Sequence, residues 1–188
     1  MHHSTLNPPR ENAMPALRRL LVLLTCVIAF SAGTLSPASA VGDDYPWKYD
    51  VTSTADRWGF TKRQCVSFVA WRMAQRRHPL NNVTQRWGSA LTWDDTARRL
   101  GYGIGTRPVP GSIAHWNAYE RAAWYSPGSP RANGTMTAGG YGHVGYVQGV
   151  YPDGSVSVAQ YNLNGSRAYS TMRVRAPRYL YVSVATPR

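Results

Sequence analysis

The stretch TKRQCVSFVAWRMAQR, residues 61–76, combines helical spacing with a lone cysteine. Val66, Val69, Ala70 and Met73 recur at steps of three and four, which predicts an amphipathic helix over 61–76. Thr61-Lys-Arg-Gln64 fits the box in which a hydroxyl and an amide cap a helix start reciprocally. Arg72, Arg76 and Arg77 suit the negative end of the helix dipole. Pro79 then disfavours helical geometry at His78. Cys65 therefore falls in the first turn, where outward-pointing N–H groups and the positive dipole end favour a thiolate. Lys62 and Arg63 add positive charge nearby, and the thiolate is the nucleophilic form. The same N–H groups can receive the oxyanion of a tetrahedral intermediate. The competing reading is a buried structural thiol, since free cysteine is among the most buried residue types.

Working outward, residues 85–100 predict a second helix, with Trp87, Ala90, Leu91, Ala97 and Leu100 on one side and Gly88 as a weak point that splits it. From residue 102 the pattern changes to strands and turns. Ser112–Trp116 reads as a strand, and 117–140, rich in Gly, Pro, Ser and Asn, reads as a long loop. Gly142–Val150 is a strand rich in β-formers, and Pro152-Asp153-Gly154 is a hairpin turn. Ser155–Asn162 alternates and pairs back on it, and Ala168–Arg175 and Tyr179–Val184 supply the last strands. Helices followed by an antiparallel meander make an α+β domain.

His143 opens the predicted strand 142–150, among Gly139, Gly140, Gly142 and Gly145, which allow close approach of a backbone or ligand. A histidine there can reach a helix-terminal thiol and take its proton; the competing reading is a surface histidine on a hairpin. Gln160 and Asn162 are two apart on the next strand, so both are expected on one face. Either amide oxygen can accept the imidazole's other N–H and fix its tautomer. His115, with Cys65 and His143, matches no compact metal spacing, and a fourth ligand is not evident. No metal or cofactor is expected. Nucleophile-elbow, phosphate-loop and dinucleotide fingerprints are absent from the sequence.

The flanks and composition bound the setting. Residues 14–40 read as an export signal: Arg18 and Arg19, an apolar run over 20–30, then Ala38-Ser39-Ala40 as the cleavage site. The run is shorter than the roughly 20 apolar residues that span a bilayer, so a stable membrane anchor is not expected. Residues 1–13 read as dispensable, with Met14 an alternative start. Cleavage near Ala40 leaves 148 of 188 residues, one domain of ordinary size. Residues 41–59 form a short lead-in and 60–184 the catalytic domain. Cys26 leaves with the signal, so Cys65 has no internal disulfide partner. After residue 40 there are 18 basic against 8 acidic side chains. That balance favours an anionic partner. The charges are dispersed, with no run of five or more, so no nucleic-acid stripe is read and nucleic acid is not an expected partner. Export points instead to anionic cell-wall polymers, met by a monomer.

Four segments in order resemble the CHAP family of cysteine- and histidine-dependent amidohydrolases and peptidases. Gln64–Arg72 resembles the family's nucleophile helix and Pro108–Trp116 the strand after its P-x-x-G-x-I turn. Gly142–Val147 resembles the histidine strand, and Asp153–Asn162 the last motif, usually ending Glu-x-Asn. The resemblance implies a papain-like α+β fold, with the N-terminal helices packed on an antiparallel sheet. It implies hydrolysis of an amide in peptidoglycan, either the muramoyl–alanine link or a peptide bond, with Cys65 as nucleophile and His143 as base. Gln64 would line the oxyanion site, and Asn162 matches the family's Asn. Gln160 stands where the family has Glu, and Leu163 where a Trp often follows. A neutral amide at 160 leaves a second expectation open: a weak or inactive CHAP-like module that binds anionic wall.

Overall fold

The structure, a computed structural model, describes residues 42–188. The export signal at 14–40, its cleavage point at Ala40 and Cys26 lie outside the described residues. Among the described residues three α-helices come first: α1 (Cys65–Gln75), α2 (Asn82–Gln85) and α3 (Trp93–Arg99). Eight strands follow: β1 (Gly103–Gly105), β2 (Ile113–Trp116), β3 (Arg121–Tyr125), β4 (Gly134–Thr137), β5 (His143–Val150), β6 (Val156–Tyr161), β7 (Tyr169–Val174) and β8 (Arg178–Tyr181). They form one sheet in the order β1-β8-β2-β5-β6-β7-β3-β4, and every pairing is antiparallel. The expected α+β class, helices on an antiparallel sheet, is what the chain forms.

Both faces of the sheet are covered. On one, Phe68, Val69 and Met73 of α1 pack with Ile113, Val144, Ala159 and Leu180. On the other, Trp116, Val147, Val156, Val158 and Val174 are closed over by Ala122 and Met136 from β3 and β4. Because both faces are covered, β5 and β6 are buried at nearly consecutive positions, even though the sequence of β6 alternates.

The lead-in packs into the helical core as well. Tyr45 is 1% exposed, its hydroxyl lies 2.5 Å from Ser67 Oγ, and Ser67 donates to Asp56 Oδ2 at 2.5 Å. Asp56 Oδ1 in turn accepts the N–H groups of Trp58 and Phe60. Arg72, expected to serve the helix dipole, is buried and forks onto Asp44.

Some sequence expectations change. The first helix begins at Cys65, not Thr61, because Arg63 sits at φ 59 and Thr61 bridges to Ala55. Gln64 is the extended residue before the helix and makes no side-chain cap bond. The second helix splits at Gly88 as expected: Arg86 (φ 55) and Gly88 (φ 70) take left-handed backbone after α2, and a 3₁₀ turn at Ala90–Thr92 leads into α3. The long loop 117–140 contains the β3–β4 hairpin, with Ala122 paired to Met136. A short strand, β1, pairs with β8 at the sheet's edge.

Candidate active site

Cys65 starts α1, and the N-terminal end of that helix opens on a cleft of about 770 Å³. The cleft is also lined by Gln64, His143 and Asn162, so the fold gathers into one place residues that are far apart along the chain. Cys65 is unpaired and partly accessible. His143 enters as the first residue of β5, and the approach to it is fixed by Gly142. Gly142 has φ 70, and a Cβ there would stand 2.6 Å from the Trp116 carbonyl oxygen and 2.7 Å from the Leu91 nitrogen. The Leu91 N–H donates to the Tyr141 carbonyl at 2.8 Å, pinning the 3₁₀ turn against the strand that carries His143.

The imidazole is held at its far end. His143 Nε2–H donates to Gln160 Oε1 at 2.8 Å, and the Gln160 amide nitrogen donates to Ser170 Oγ at 3.3 Å. Nδ1 is then the unprotonated nitrogen, with its lone pair free to accept a proton. Gly145, opposite this part of β6, makes the approach feasible: a Cβ there would lie 2.2 Å from Val158 Cγ1. The Trp116 ring packs beside the imidazole at 5.8 Å between centroids.

Asn162 has moved away from Gln160. β6 ends at Tyr161, and Asn162 turns to φ 58, so the expected shared strand face is not kept. Its amide nitrogen donates to Gln64 Oε1 at 2.5 Å, and its oxygen accepts the Arg167 N–H at 2.7 Å. Of the two amides, Gln160 meets the imidazole and Asn162 orients the glutamine before the cysteine.

The electrostatics differ from expectation at the thiol. Burial pushes the Cys65 thiol up, and the backbone N–H groups of Val144, Val66 and Cys65 only partly oppose it. Lys62 and Arg63 do not help, because Lys62 pairs with Asp50 at 2.7 Å and Arg63 donates to the Arg167 carbonyl at 2.9 Å. Burial also lowers His143 to about 4, against the Gln160 hydrogen bond that raises it. The resting pair is therefore a neutral thiol and a neutral imidazole.

His115 lies behind this site, fully buried. Its Nε2–H donates to the Ala90 carbonyl at 2.8 Å and its Nδ1 accepts from Arg178 at 3.1 Å. Both nitrogens are thus engaged in holding the 3₁₀ turn, and Arg178 is itself paired with Glu120. Among the described residues no group of three or more His, Cys, Asp or Glu could hold a metal ion. Sequence reasoning missed this second histidine's propping role, the Val144 N–H and the Tyr141–Leu91 tie. The glycines around His143 were the signal for the tie.

The profile of the CHAP domain matches residues 55–162. Staphylococcal secretory antigen SsaA from Staphylococcus epidermidis is 27% identical over 127 residues, covering 65% of this chain and 39% of that protein. Staphylococcal secretory antigen ssaA2 from Staphylococcus aureus is 29% identical over 109 residues, covering 58% of this chain and 31% of that protein. The chain thus spans well under half the length of these curated relatives. Among solved structures, an N-acetylmuramoyl-L-alanine amidase from Staphylococcus aureus is similar in fold. Its TM-score is 0.52 at 22% identity, over 74% of this chain and 37% of that one.

Proposed function

The chain belongs to the CHAP domain family, and from that membership we propose that it is an exported hydrolase that cleaves an amide bond of peptidoglycan through Cys65 and His143. The observation that carries this reading is the common cleft. A helix-terminal thiol and a strand-terminal imidazole line it together, and the imidazole is locked by Gln160 in the tautomer that leaves Nδ1 unprotonated.

In this reading Cys65 is the nucleophile and His143 the base. The thiol proton passes to Nδ1 as sulfur attacks the amide carbon. The imidazolium returns that proton to the leaving nitrogen as the C–N bond breaks, giving a thioester. Water, deprotonated by the same nitrogen, then releases the acid and restores the thiol. The N–H groups at the start of α1 receive the oxyanion, with Gln64 beside them, steadied by Asn162. Gln160 is a positioning residue. Export is supported by the 14–40 signal and by relatives named as secretory antigens. Anionic wall polymers are the partner that the net charge of +12 favours.

Gln160 also favours a second reading, a catalytically weak module that binds wall. A neutral amide cannot stabilise an imidazolium by charge, and a carboxylate-to-amide change in another triad costs about 10⁴ in rate. Mass spectrometry of fragments released from purified walls separates the two. Wild type should release fragments with one newly hydrolysed amide, and Cys65→Ala, folded by circular dichroism, should release none. Undiminished release by Cys65→Ala rules out the thiol mechanism. No release by either protein favours the binding module.

A further inference from the structure

No described residue that lines the cleft is Asp, Glu, Lys or Arg, yet an ion pair is joined to one wall through a single layer of side chains. Arg178 of β8 pairs with Glu120, with side chains 19% and 30% exposed. Such a pair contributes little to stability once its desolvation is counted. What it supplies here is direction. A guanidinium only donates and a carboxylate only accepts, so the two settle the hydrogen-bonding sense of every polar neighbour they touch.

Arg178 Nη1 meets three acceptors: Glu120 Oε2 at 2.7 Å, His115 Nδ1 at 3.1 Å and the Asn117 amide at 3.2 Å. Glu120 Oε2 also accepts the Asn117 backbone N–H at 2.7 Å. Because the guanidinium donates, His115 carries its proton on Nε2 and gives it to the Ala90 carbonyl at 2.8 Å. For the same reason the Asn117 oxygen faces Arg178, and its NH2 donates to the Leu91 carbonyl at 3.0 Å. Two successive carbonyls of the 3₁₀ turn are thus held through one side chain. The turn meets the site on both flanks. Ser89 and Ala90 line the cleft, and the Leu91 N–H donates to the Tyr141 carbonyl, two residues before His143. The sheet makes a second connection. Arg178, His115 and Val144 stand opposite one another across β8, β2 and β5, and the Val144 N–H is one of those that face the Cys65 sulfur.

An apolar residue at 178 would leave His115 free to take either tautomer and Asn117 free to turn over. In the wrong sense, His115 would set an acceptor against the Ala90 carbonyl and Asn117 an acceptor against the Leu91 carbonyl. We propose that Arg178 is a positioning residue of the cleft: from β8 it orients His115 and Asn117, and through them holds the Ala90–Thr92 turn and the backbone of residues 141–143 that is tied to it. Glu120 is its anchor. The proposal deepens the reading of Cys65 and His143 as an amide-cleaving pair and rests on that reading for its effect on activity, whereas the positioning itself is measured without turnover.

The test compares the full chain with Arg178→Met, Arg178→Lys and a control, Arg173→Met. Arg173 is similarly buried, with a side chain 13% exposed, and pairs with Asp153 at 2.8 Å; its partners Asp153, Ser155 and Ser129 do not line the cleft. The first readout is amide hydrogen exchange at Leu91, which reports local opening of the turn. Arg178→Met should speed it at least about tenfold, the worth of the charged hydrogen bonds removed, while Val158 in β6 exchanges as in wild type. Arg178→Lys keeps the charge without the fork, so it should show a smaller rise. Arg173→Met should leave Leu91 unchanged. The second readout is release of fragments from purified walls, in which Arg178→Met should lower kcat/KM about tenfold below Arg173→Met. Unchanged exchange at Leu91 in both Arg178 variants, or an equal rise in Arg173→Met, overturns the proposal. So does a rise at Leu91 with kcat/KM equal to that of Arg173→Met. Arg178→Lys decides the question if the Met variant does not fold. Absence of fragment release by wild type counts against the hydrolase reading alone, and Leu91 exchange still decides the role of Arg178.

Discussion

In the proposed mechanism His143 and Gln160 set the chemistry of the site. An acceptor on Nε2 decides which nitrogen is free, and an acceptor without charge decides how hard the imidazolium is to form. Because burial holds His143 near 4, kcat/KM on wall fragments should rise with pH through an acid limb near that value. Gln160→Glu should move the limb upward by at least about one pH unit, since a carboxylate stabilises the charged ring. Gln160→Leu should lower kcat by about 10² or more. A limb that stays in place in the Glu variant would mean that residue 160 does not govern the base. The same shift acts on stability. The unfolded histidine titrates near 6.5 and the folded one near 4, so between those values the unfolded chain binds more protons. The contribution is complete above pH 6.5 and is lost as pH falls through about 4, roughly 3 kcal/mol in all. Urea midpoints should drop between pH 7 and pH 4, and drop less in His143→Gln. Burial lowers His115 in the same direction, so part of the loss remains.

At the scale of elements, the site depends on the junction between the 3₁₀ turn Ala90–Thr92 and the start of β5. Gly142 is where the two backbones meet. Substitution to Ala combines a left-handed φ with contacts under 3 Å to backbone atoms, neither of which can yield as a flexible side chain would. Gly142→Ala should cost at least about 2 kcal/mol in urea unfolding and should reduce activity further than that loss explains, because His143 moves with the junction. A variant of wild-type stability would show that the turn can move aside. Element boundaries were also where sequence patterning failed. The Thr61 box is real as spacing, but Arg63 leaves helical geometry and the Gln64 amide is drawn to Asn162. β3 and β4 were hidden by the turn-forming residues between them, Pro127-Gly128-Ser129-Pro130, and become visible only as the pair that caps the second core.

Across the whole molecule, charge and chemistry are separated. Among the described residues the Lys and Arg side chains lie outside the cleft, some of them in ion pairs, so in the proposed function attraction to an anionic wall and bond cleavage would use different surfaces. Retention on purified walls should therefore weaken as salt rises from physiological levels towards 1 M, where the screening length falls from about 8 to 3 Å. Cys65→Ala should be retained as well as wild type at each salt concentration, measured by co-sedimentation. Retention that is insensitive to salt would assign adhesion to neutral contacts instead.

Periodicity, a lone cysteine in the first turn of a helix and a histidine among glycines are properties of neighbouring residues, and they were enough to determine the α+β class, the Cys65 helix, the histidine strand and the pairing of β5 with β6 through Asp153-Gly154. Tertiary structure alone decided that Gln160 rather than Asn162 meets the imidazole, that the thiol is raised rather than lowered, and that the cleft is uncharged. Each of these depends on a backbone angle or on desolvation by segments distant in the chain. Asn162 is turned aside by its φ of 58, and the Cys65 thiol is raised by burial, which the Val144 N–H of a strand that begins at residue 143 only partly opposes. Local pattern carries neither kind of information, because solvation and the direction of a side chain are settled only when remote parts of the chain close over one another.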